Sequence, residues 1–247
     1  MPDESKEPRF LEPILGIVFD LDGTLVLSHH DFGKIRAAVV RAAEHHGVMP
    51  GHLSVQDPVH RIVENARESL RVSGVPDGEF WKFETEYQQA IDAIELEALP
   101  KTVVRPGAAE MLRALAKRGF RLAILTRSSE AFARAALQRT GLGEFFSYLR
   151  SRSAPGPSKP SPEALLLLLA EMEIPLERAL YVGDHLLDAE CATRARVRFY
   201  GILPDASETW NTGMTVDRFL SAGASAVAHD LPELSRHLGV APTPRVA

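Results

Sequence analysis

Two carboxylates, Asp20 and Asp22, stand two residues apart in the segment 20–24 (DLDGT), directly after the apolar run ILGIVF at 14–19. Residues two apart on a strand project to the same side, so both would point beyond the strand end. Neighbouring carboxylates repel each other unless a cation or proton lies between them, and a hard divalent cation suits oxygen ligands. Gly23 permits a sharp turn towards an anion. The segment predicts cation-assisted chemistry on an anion, with a capped strand end as the plainer alternative.

Four further polar residues follow other apolar runs. Thr126 comes after RLAIL at 121–125, and its hydroxyl, at the start of a helical pattern, could bind an anion. Lys159 lies among prolines in the loop SRSAPGPSKPSP at 151–162. Asp184 and Asp188 follow ALYV at 179–182, and their spacing of four places both on one side of a first helical turn. Each has an ordinary explanation alone, as a helix cap or a solvated side chain.

The elements that must position these residues alternate in type along the chain. Short apolar runs predict strands, and each is followed by helical periodicity, which is typical of βα units and a parallel sheet with helices on both faces. We therefore expect an α/β, Rossmann-like fold. In such sheets ligands bind at the carboxyl ends of strands, where the polar residues fall. The predicted strands are 14–19, 121–125, 179–182, 197–203 and 225–228.

The span from 27 to 102 departs from this alternation because its patterns are helical only, over 32–46, 58–73 and 78–99. We interpret it as an inserted all-helical domain, with 1–26 and 103–247 forming the α/β domain that contains the sheet. The aromatic residues Phe80, Trp81, Phe83 and Tyr87 have helical spacing and are expected to form the core of that insertion.

Composition excludes several classes of protein. The 247 residues are 45% hydrophobic and carry a net charge of −5, which disfavours a disordered chain and a nucleic-acid binder. The single cysteine, Cys191, allows no internal disulfide and fits a reducing, cytoplasmic compartment. Residues 1–13 contain no apolar core of signal-peptide length, and the apolar run 164–170 is shorter than the roughly 20 residues of a membrane span. We expect no membrane partner.

With these motifs in order, the sequence resembles the haloacid dehalogenase-like hydrolase superfamily. The segment 20–24 matches its first motif, Thr126 the second, Lys159 the third, and the Gly-Asp at 183–184 with Asp188 the fourth. The helical insertion is similar to the family's C1-type cap. The layout resembles the branch of phosphoglycolate phosphatases and β-phosphoglucomutases.

The resemblance implies a Mg²⁺-dependent phosphatase that hydrolyses a small phosphate ester. Asp20 would be the nucleophile that forms an aspartyl-phosphate, and Asp22 the general acid and base. The family's dehalogenases lack this second acid, so Asp22 favours phosphoryl transfer over carbon–halogen cleavage. Mg²⁺ would be held by Asp20, Asp184 and the backbone carbonyl of Asp22, with Asp188 orienting a water of the cation. Thr126 and Lys159 would bind the phosphoryl oxygens.

Some residues bear on the substrate. Arg127 stands where many relatives carry Asn, and it would bind an anion or lie in solvent. His60 and Arg61 fall where relatives place a specificity loop. Lys34, Arg36 and Arg67 are further cationic candidates for a carboxylate or a second phosphate.

Three alternatives stay open. A phosphomutase would use the same residues and return the phosphoryl group to a sugar. A non-catalytic scaffold would not require the five residues Asp20, Asp22, Lys159, Asp184 and Asp188 together. A phosphonate hydrolase would need a cap lysine, for which Lys34 is the early candidate. The protein is expected to be a monomer or a homodimer.

Overall fold

A parallel six-stranded sheet forms the centre of the computed structural model, which describes residues 13–205 and 213–240. The sheet order is β5-β4-β1-β6-β7-β8, so the strand that precedes Asp20 lies in the middle. Its strands are β1 (Gly16–Phe19), β4 (Arg121–Leu125), β5 (Tyr148–Arg150), β6 (Ala179–Gly183), β7 (Arg198–Ile202) and β8 (Ala226–Ala228). A separate antiparallel pair joins β2 (Val26–Leu27) to β3 (Val103–Val104).

Helices cover both faces of the sheet. Along β1, Ile17 and Phe19 belong to one apolar cluster, and Val18 belongs to the other, as the two-residue period of a strand requires. The first cluster packs against α4 (Ala108–Lys117), α5 (Glu130–Thr140) and α9 (Leu231–His237). The second packs against α6 (Pro162–Glu171), α7 (Leu186–Ala195) and α8 (Val216–Ser221). The predicted α/β, Rossmann-like fold is confirmed.

The chain divides into two compact units, one running to Leu27 and resuming at Val103, and the other comprising Ser28–Thr102. We call them the core unit and the helical unit. The helical unit contains α1 (Phe32–His45), α2 (Val59–Val72) and α3 (Asp77–Ala98). Helix α1 packs against both others, around a centre that includes Ile62, Leu70 and Phe83.

The aromatic residues of α3 divide between the interior and the surface. Phe83 is fully buried and Tyr87 nearly so, with ring centroids 5.0 Å apart. Trp81, by contrast, is 69% exposed, so its assignment to the core of the insertion was wrong. Two residues correspond to about 200° around a helix, which turns Trp81 away from the face that Phe83 presents to α1.

The short elements β2, β3, β5 and α8 had no counterpart among the sequence-based expectations. Each has six residues or fewer, too few for a periodic pattern to develop. Within residues 13–205 and 213–240, none of the helices combines the length and apolar character that a membrane crossing requires. No apolar core of signal-peptide length is predicted in residues 1–13, and residues 1–12 of this segment lie outside the described part of the chain.

Candidate active site

The central position of β1 explains where Asp20 lies. The strand register pairs Phe19 with Ile124 of β4 on one side and with Val182 of β6 on the other. Asp20 continues this ladder, since its backbone N–H donates to the Val182 carbonyl at 2.9 Å. Asp20, Thr126 and Asp184 therefore follow three adjacent parallel strands. Their carboxyl ends meet at the edge of the sheet where such folds bind ligands.

A tight turn follows Asp20 and depends on Gly23. The φ angle of Gly23 is +83°, a left-handed conformation that glycine adopts without strain. A Cβ added there would lie 2.4 Å from Oδ2 of Asp184, so glycine also provides the space for this carboxylate. Thr24 fixes the same carboxylate, because its hydroxyl donates to Oδ1 of Asp184 at 2.7 Å. The DxDGT segment thus positions an acid of another strand.

A buried lysine joins the first and fourth motifs. The ammonium of Lys159 lies 2.8 Å from Oδ1 of Asp20 and 2.7 Å from Oδ1 of Asp188. Only 2% of the Lys159 side chain is exposed. Burial lowers the pKa of Lys159, but the charges of Asp188 and Asp20 outweigh it and raise the pKa above its ordinary value. Lys159 is therefore a fixed positive charge beside Asp20.

Both carboxylate oxygens of Asp188 accept hydrogen bonds. Besides Lys159, the hydroxyl of Tyr181 donates to its Oδ1 at 2.7 Å, and the backbone N–H of His185 donates to its Oδ2 at 3.1 Å. The Tyr181 ring centre lies 5.8 Å from the Lys159 ammonium. Burial, with the charge of Asp188 next, raises the pKa of Tyr181 well above its ordinary value, so the phenol stays a proton donor.

Asp20 itself is a poor acid in this environment. Burial raises its pKa from 3.8 to about 7, the charge of Lys159 lowers it, and that of Asp188 raises it again. A single lysine shared between two carboxylates does not compensate both. Full ionisation of Asp20 near neutral pH therefore calls for additional positive charge at this position.

A carboxylate triad meets that need. Asp20, Asp184 and Asp188 each offer an oxygen, and the three oxygens lie within 4.8 Å of one another. Asp184 and Asp188 are each 1% exposed. Carboxylate oxygens are the donors that hard divalent cations prefer, and a cation would relieve both the mutual repulsion and the raised pKa of Asp20. The residues present fit a divalent metal ion.

The remaining predicted residues of the core unit occupy neighbouring positions. Asp22 is half-buried within the turn. Thr126 is 2% exposed, and its hydroxyl oxygen accepts the backbone N–H of Ser128 at 3.1 Å. Arg127 is half-buried, and its carbonyl accepts from Arg152 at 2.9 Å.

The predicted substrate residues of the insertion lie within the helical unit. His60 and Arg61 are on α2, with Arg61 exposed. The other three cations contact that unit itself: Lys34 pairs with Glu97 at 2.5 Å, Arg67 pairs with Glu84 at 2.6 Å, and Arg36 donates to the Val55 carbonyl at 2.7 Å.

Three residues of the site had no role assigned from sequence: Thr24, Tyr181 and Arg105. Arg105 is 2% exposed and donates to the carbonyls of Gly23 and Leu203, which ties the turn to the end of β7. A phenol inside an apolar strand was the available signal for Tyr181. Nothing local marks Arg105, because its partners lie 82 and 98 residues away in sequence.

Comparison with known proteins places this arrangement in a family. The family model described as haloacid dehalogenase-like hydrolase matches residues 14–196. The chain belongs to the haloacid dehalogenase-like hydrolase family. The match includes Asp20, Thr126, Lys159 and Asp184, as well as the whole helical unit.

Individual relatives indicate the branch. A phosphoglycolate phosphatase of Pseudomonas fluorescens is 32% identical over 74% of this chain and 66% of its own length. One from Cereibacter sphaeroides is also 32% identical, over 74% of this chain and 83% of its own. The crystal structure of a candidate β-phosphoglucomutase from Thermotoga maritima is 20% identical, covers 92% of this chain and all of its own, and has a TM-score of 0.55.

The phosphoglycolate phosphatase relatives bear out the expected branch of the family, and the Thermotoga maritima structure shows that the fold is shared. The prediction of a phosphatase that acts on a small phosphorylated compound is likewise confirmed. The chain is an enzyme of the hydrolase class.

Proposed function

We propose that this phosphatase hydrolyses the phosphate monoester of a small metabolite through an aspartyl-phosphate on Asp20, with Mg²⁺ as its cation. Phosphoglycolate, the substrate named for the relatives, is the first candidate, followed by sugar phosphates of similar size. The single cysteine supports action in a reducing, cytoplasmic compartment.

The observation that carries the proposal is the double contact of Lys159 with Asp20 and Asp188. A lysine with 2% of its side chain exposed, 2.8 Å from the proposed nucleophile, supplies positive charge where phosphoryl oxygens must gather. Phosphoryl transfer requires positioning and charge compensation more than covalent assistance, and the site is built from groups of this kind.

In the first step, a carboxylate oxygen of Asp20 attacks phosphorus, and the bond from phosphorus to the ester oxygen breaks. Asp22, two residues further in the same turn, donates a proton to the departing alkoxide, which leaves as an alcohol. Lys159 and the Thr126 hydroxyl bind the phosphoryl oxygens. The product is an acyl phosphate on Asp20.

In the second step, Asp22 is ionised and accepts a proton from a water molecule as its oxygen attacks phosphorus. The bond between phosphorus and the Asp20 oxygen breaks, which releases inorganic phosphate and regenerates the Asp20 carboxylate. Asp22 returns to its protonated form, so one carboxyl group serves as acid and then as base.

The residues that would hold Mg²⁺ are Asp20 and Asp184, with the Asp22 carbonyl as a further ligand and Asp188 behind them. When bound, the cation neutralises negative charge on the phosphoryl group and on Asp20. Thr24 orients Asp184 through its 2.7 Å hydrogen bond, and Tyr181 orients Asp188, so both acids are fixed before any ligand arrives.

The test is phosphate release from 2-phosphoglycolate and a panel of sugar phosphates, with Mg²⁺ and with EDTA, for the wild type and Asp20→Asn. We expect release that requires Mg²⁺ and falls at least roughly a thousandfold in Asp20→Asn. Asp217→Asn makes the same chemical change at an exposed position of α8 and should retain wild-type rates.

Three results would overturn the proposal. If Asp20→Asn released phosphate at the wild-type rate, Asp20 would not be the nucleophile. Full activity in EDTA would show that the reaction does not require a divalent cation. Isomerisation of a hexose phosphate without net phosphate release would replace the phosphatase by the mutase.

A further inference from the structure

A second group of metal-ligating side chains lies in the helical unit and consists of residues to which no role was assigned above. Helix α1 ends in two histidines, His45 and His46, and α3 presents Glu79 and Glu86 towards them. The two glutamates are seven residues apart, which is two helical turns, so they share one face of α3. Their carboxylates flank the imidazole of His46.

Three of these side chains converge on one point. Nδ1 of His45 lies 2.9 Å from Oε2 of Glu86, and Nε2 of His46 lies 3.0 Å from the same oxygen. The possible ligand atoms of the three residues all lie within 4.8 Å of one another. Hydrogen bonding to His45 and His46 lowers the pKa of Glu86, so this carboxylate is ionised near neutral pH.

The number of N–H groups on the His46 ring limits how the ring can contact two carboxylates. Its Nε2 faces Glu86 at 3.0 Å, and its Nδ1 faces Glu79 at 3.5 Å. A neutral imidazole carries one proton, so one of its nitrogens would direct a lone pair at a carboxylate. Two states avoid this repulsion: an imidazolium with two protons, or a neutral ring whose Nε2 binds a cation while Nδ1–H donates to Glu79. The second is the usual arrangement of metal-binding histidines.

We propose that His45, His46 and Glu86 bind a borderline divalent cation of the Zn²⁺ type, and that Glu79 orients His46. Two imidazoles and one carboxylate form a common Zn²⁺ ligand set that leaves a fourth position for water. The mixed nitrogen and oxygen donors distinguish this site from the all-carboxylate triad of the core unit, which suits a harder cation. Glu79 is the orienting group because its other oxygen pairs with Lys82 at 2.5 Å.

The core unit offers a matched control. His229, Glu233 and His237 follow one another at intervals of four along the chain. His229 lies 2.8 Å from Glu233, but His237 is 3.8 Å from it through the other carboxylate oxygen. Both sets contain two histidines and one glutamate, yet only the set in the helical unit converges on one oxygen. The proposal depends on the convergence of the ligand atoms, and the presence of two histidines and one glutamate is not sufficient.

The test measures Zn²⁺ bound to the full chain by equilibrium dialysis, in an Asp184→Asn background that weakens the carboxylate triad. We expect one Zn²⁺ per chain, lost in His45→Asn and in Glu86→Gln and retained in His229→Asn. His45 is 70% exposed, so its substitution leaves the packing of α1 intact. Glu79→Gln should weaken binding roughly tenfold, since it removes an orienting group and no ligand.

Co²⁺ provides a spectroscopic check on the ligand set. Its visible absorption should be that of a four-coordinate site and should disappear in His45→Asn. Absence of Zn²⁺ binding in the Asp184→Asn protein would overturn the proposal. Equal loss in His229→Asn and His45→Asn would also overturn it. None of these results depends on catalytic activity, so the phosphatase proposal stands or falls separately.

Discussion

The Lys159 cluster of the core unit and two ion pairs of the helical unit have similar lengths and opposite surroundings. Lys159 lies 2.8 and 2.7 Å from its two carboxylates, and at most 13% of any of the three side chains is exposed. Lys34 lies 2.5 Å from Glu97, with 48% and 60% of the two side chains exposed. On α2, the side chains of Arg71 and Glu68 are 72% and 60% exposed.

The difference shows that distance alone does not measure the strength or the role of an ion pair. Exposed pairs are screened by water and contribute about 0–1 kcal/mol to stability. A buried cluster depends on every member, because removing one charge leaves another uncompensated. The exposed pairs Lys34–Glu97 and Arg71–Glu68 can therefore be replaced at little cost in stability, whereas the buried cluster around Lys159 is a costly arrangement that suits the proposed chemistry.

Lys159→Met should produce the largest effect. It keeps much of the volume of the side chain and removes the charge beside Asp20, so we expect kcat/KM to fall roughly 10²–10³-fold. Lys117→Met, at an exposed position of α4, is the matched control and should leave kcat/KM unchanged. Equal rates for both variants would mean that the buried lysine has only a structural role.

Asp20→Asn should stabilise the metal-free protein at high pH. The pKa of Asp20 is raised from 3.8 to about 7, so its favourable contribution is complete below pH 3.8 and is lost as the pH rises through 7. Asparagine does not ionise, and its advantage should grow by about 2 kcal/mol between pH 5 and pH 8.

Thermal unfolding in EDTA at the two pH values measures this change. Asp217→Asn, with an exposed carboxylate, is the control. If Asp20→Asn stabilised the protein more at pH 5 than at pH 8, the pH dependence would be opposite to the expected one. That result would contradict the burial of an uncompensated charge at Asp20.

Thr24→Val tests whether the buried acids must be oriented as well as charged. It removes the hydroxyl that donates to Asp184 at 2.7 Å and preserves the shape of the side chain. We expect the Mg²⁺ concentration for half-maximal activity to rise roughly tenfold, with a small change in the maximal rate. Thr215→Val also removes a hydrogen-bonding hydroxyl, the N-cap of α8, and is the control for loss of a threonine hydroxyl outside the carboxylate triad. An unchanged Mg²⁺ requirement in Thr24→Val would show that Asp184 needs no orienting partner.

Arg71→Ala should have the smallest effect of the series. Its contacts with Glu68 are highly exposed, so we expect the free energy of unfolding to change by less than about 0.5 kcal/mol. Urea denaturation measures this value. A loss comparable to that of a buried pair would contradict the contrast between the two units.

Much of the fold and of the proposed site followed from sequence. The three helices of the helical unit lie within one residue of the predicted ranges, because each has a periodic apolar face. Asp20, Thr126 and Asp184 were assigned to strand ends, and the parallel register then makes those ends neighbours. The exposure of Trp81 was missed because spacing identifies a helix without showing which face meets the interior.

The sequence by itself determined the local chemistry: a turn that needs Gly23, paired carboxylates after β1, and acids at the start of α7. Only the tertiary structure decided that Lys159 bridges Asp20 and Asp188, that Arg105 holds the turn, and that His46 lies between Glu79 and Glu86. The physical reason is the separation along the chain of the residues that interact. A strand end or a helix cap is set by residues a few positions apart, whereas these contacts join segments whose distance in space depends on packing the whole chain.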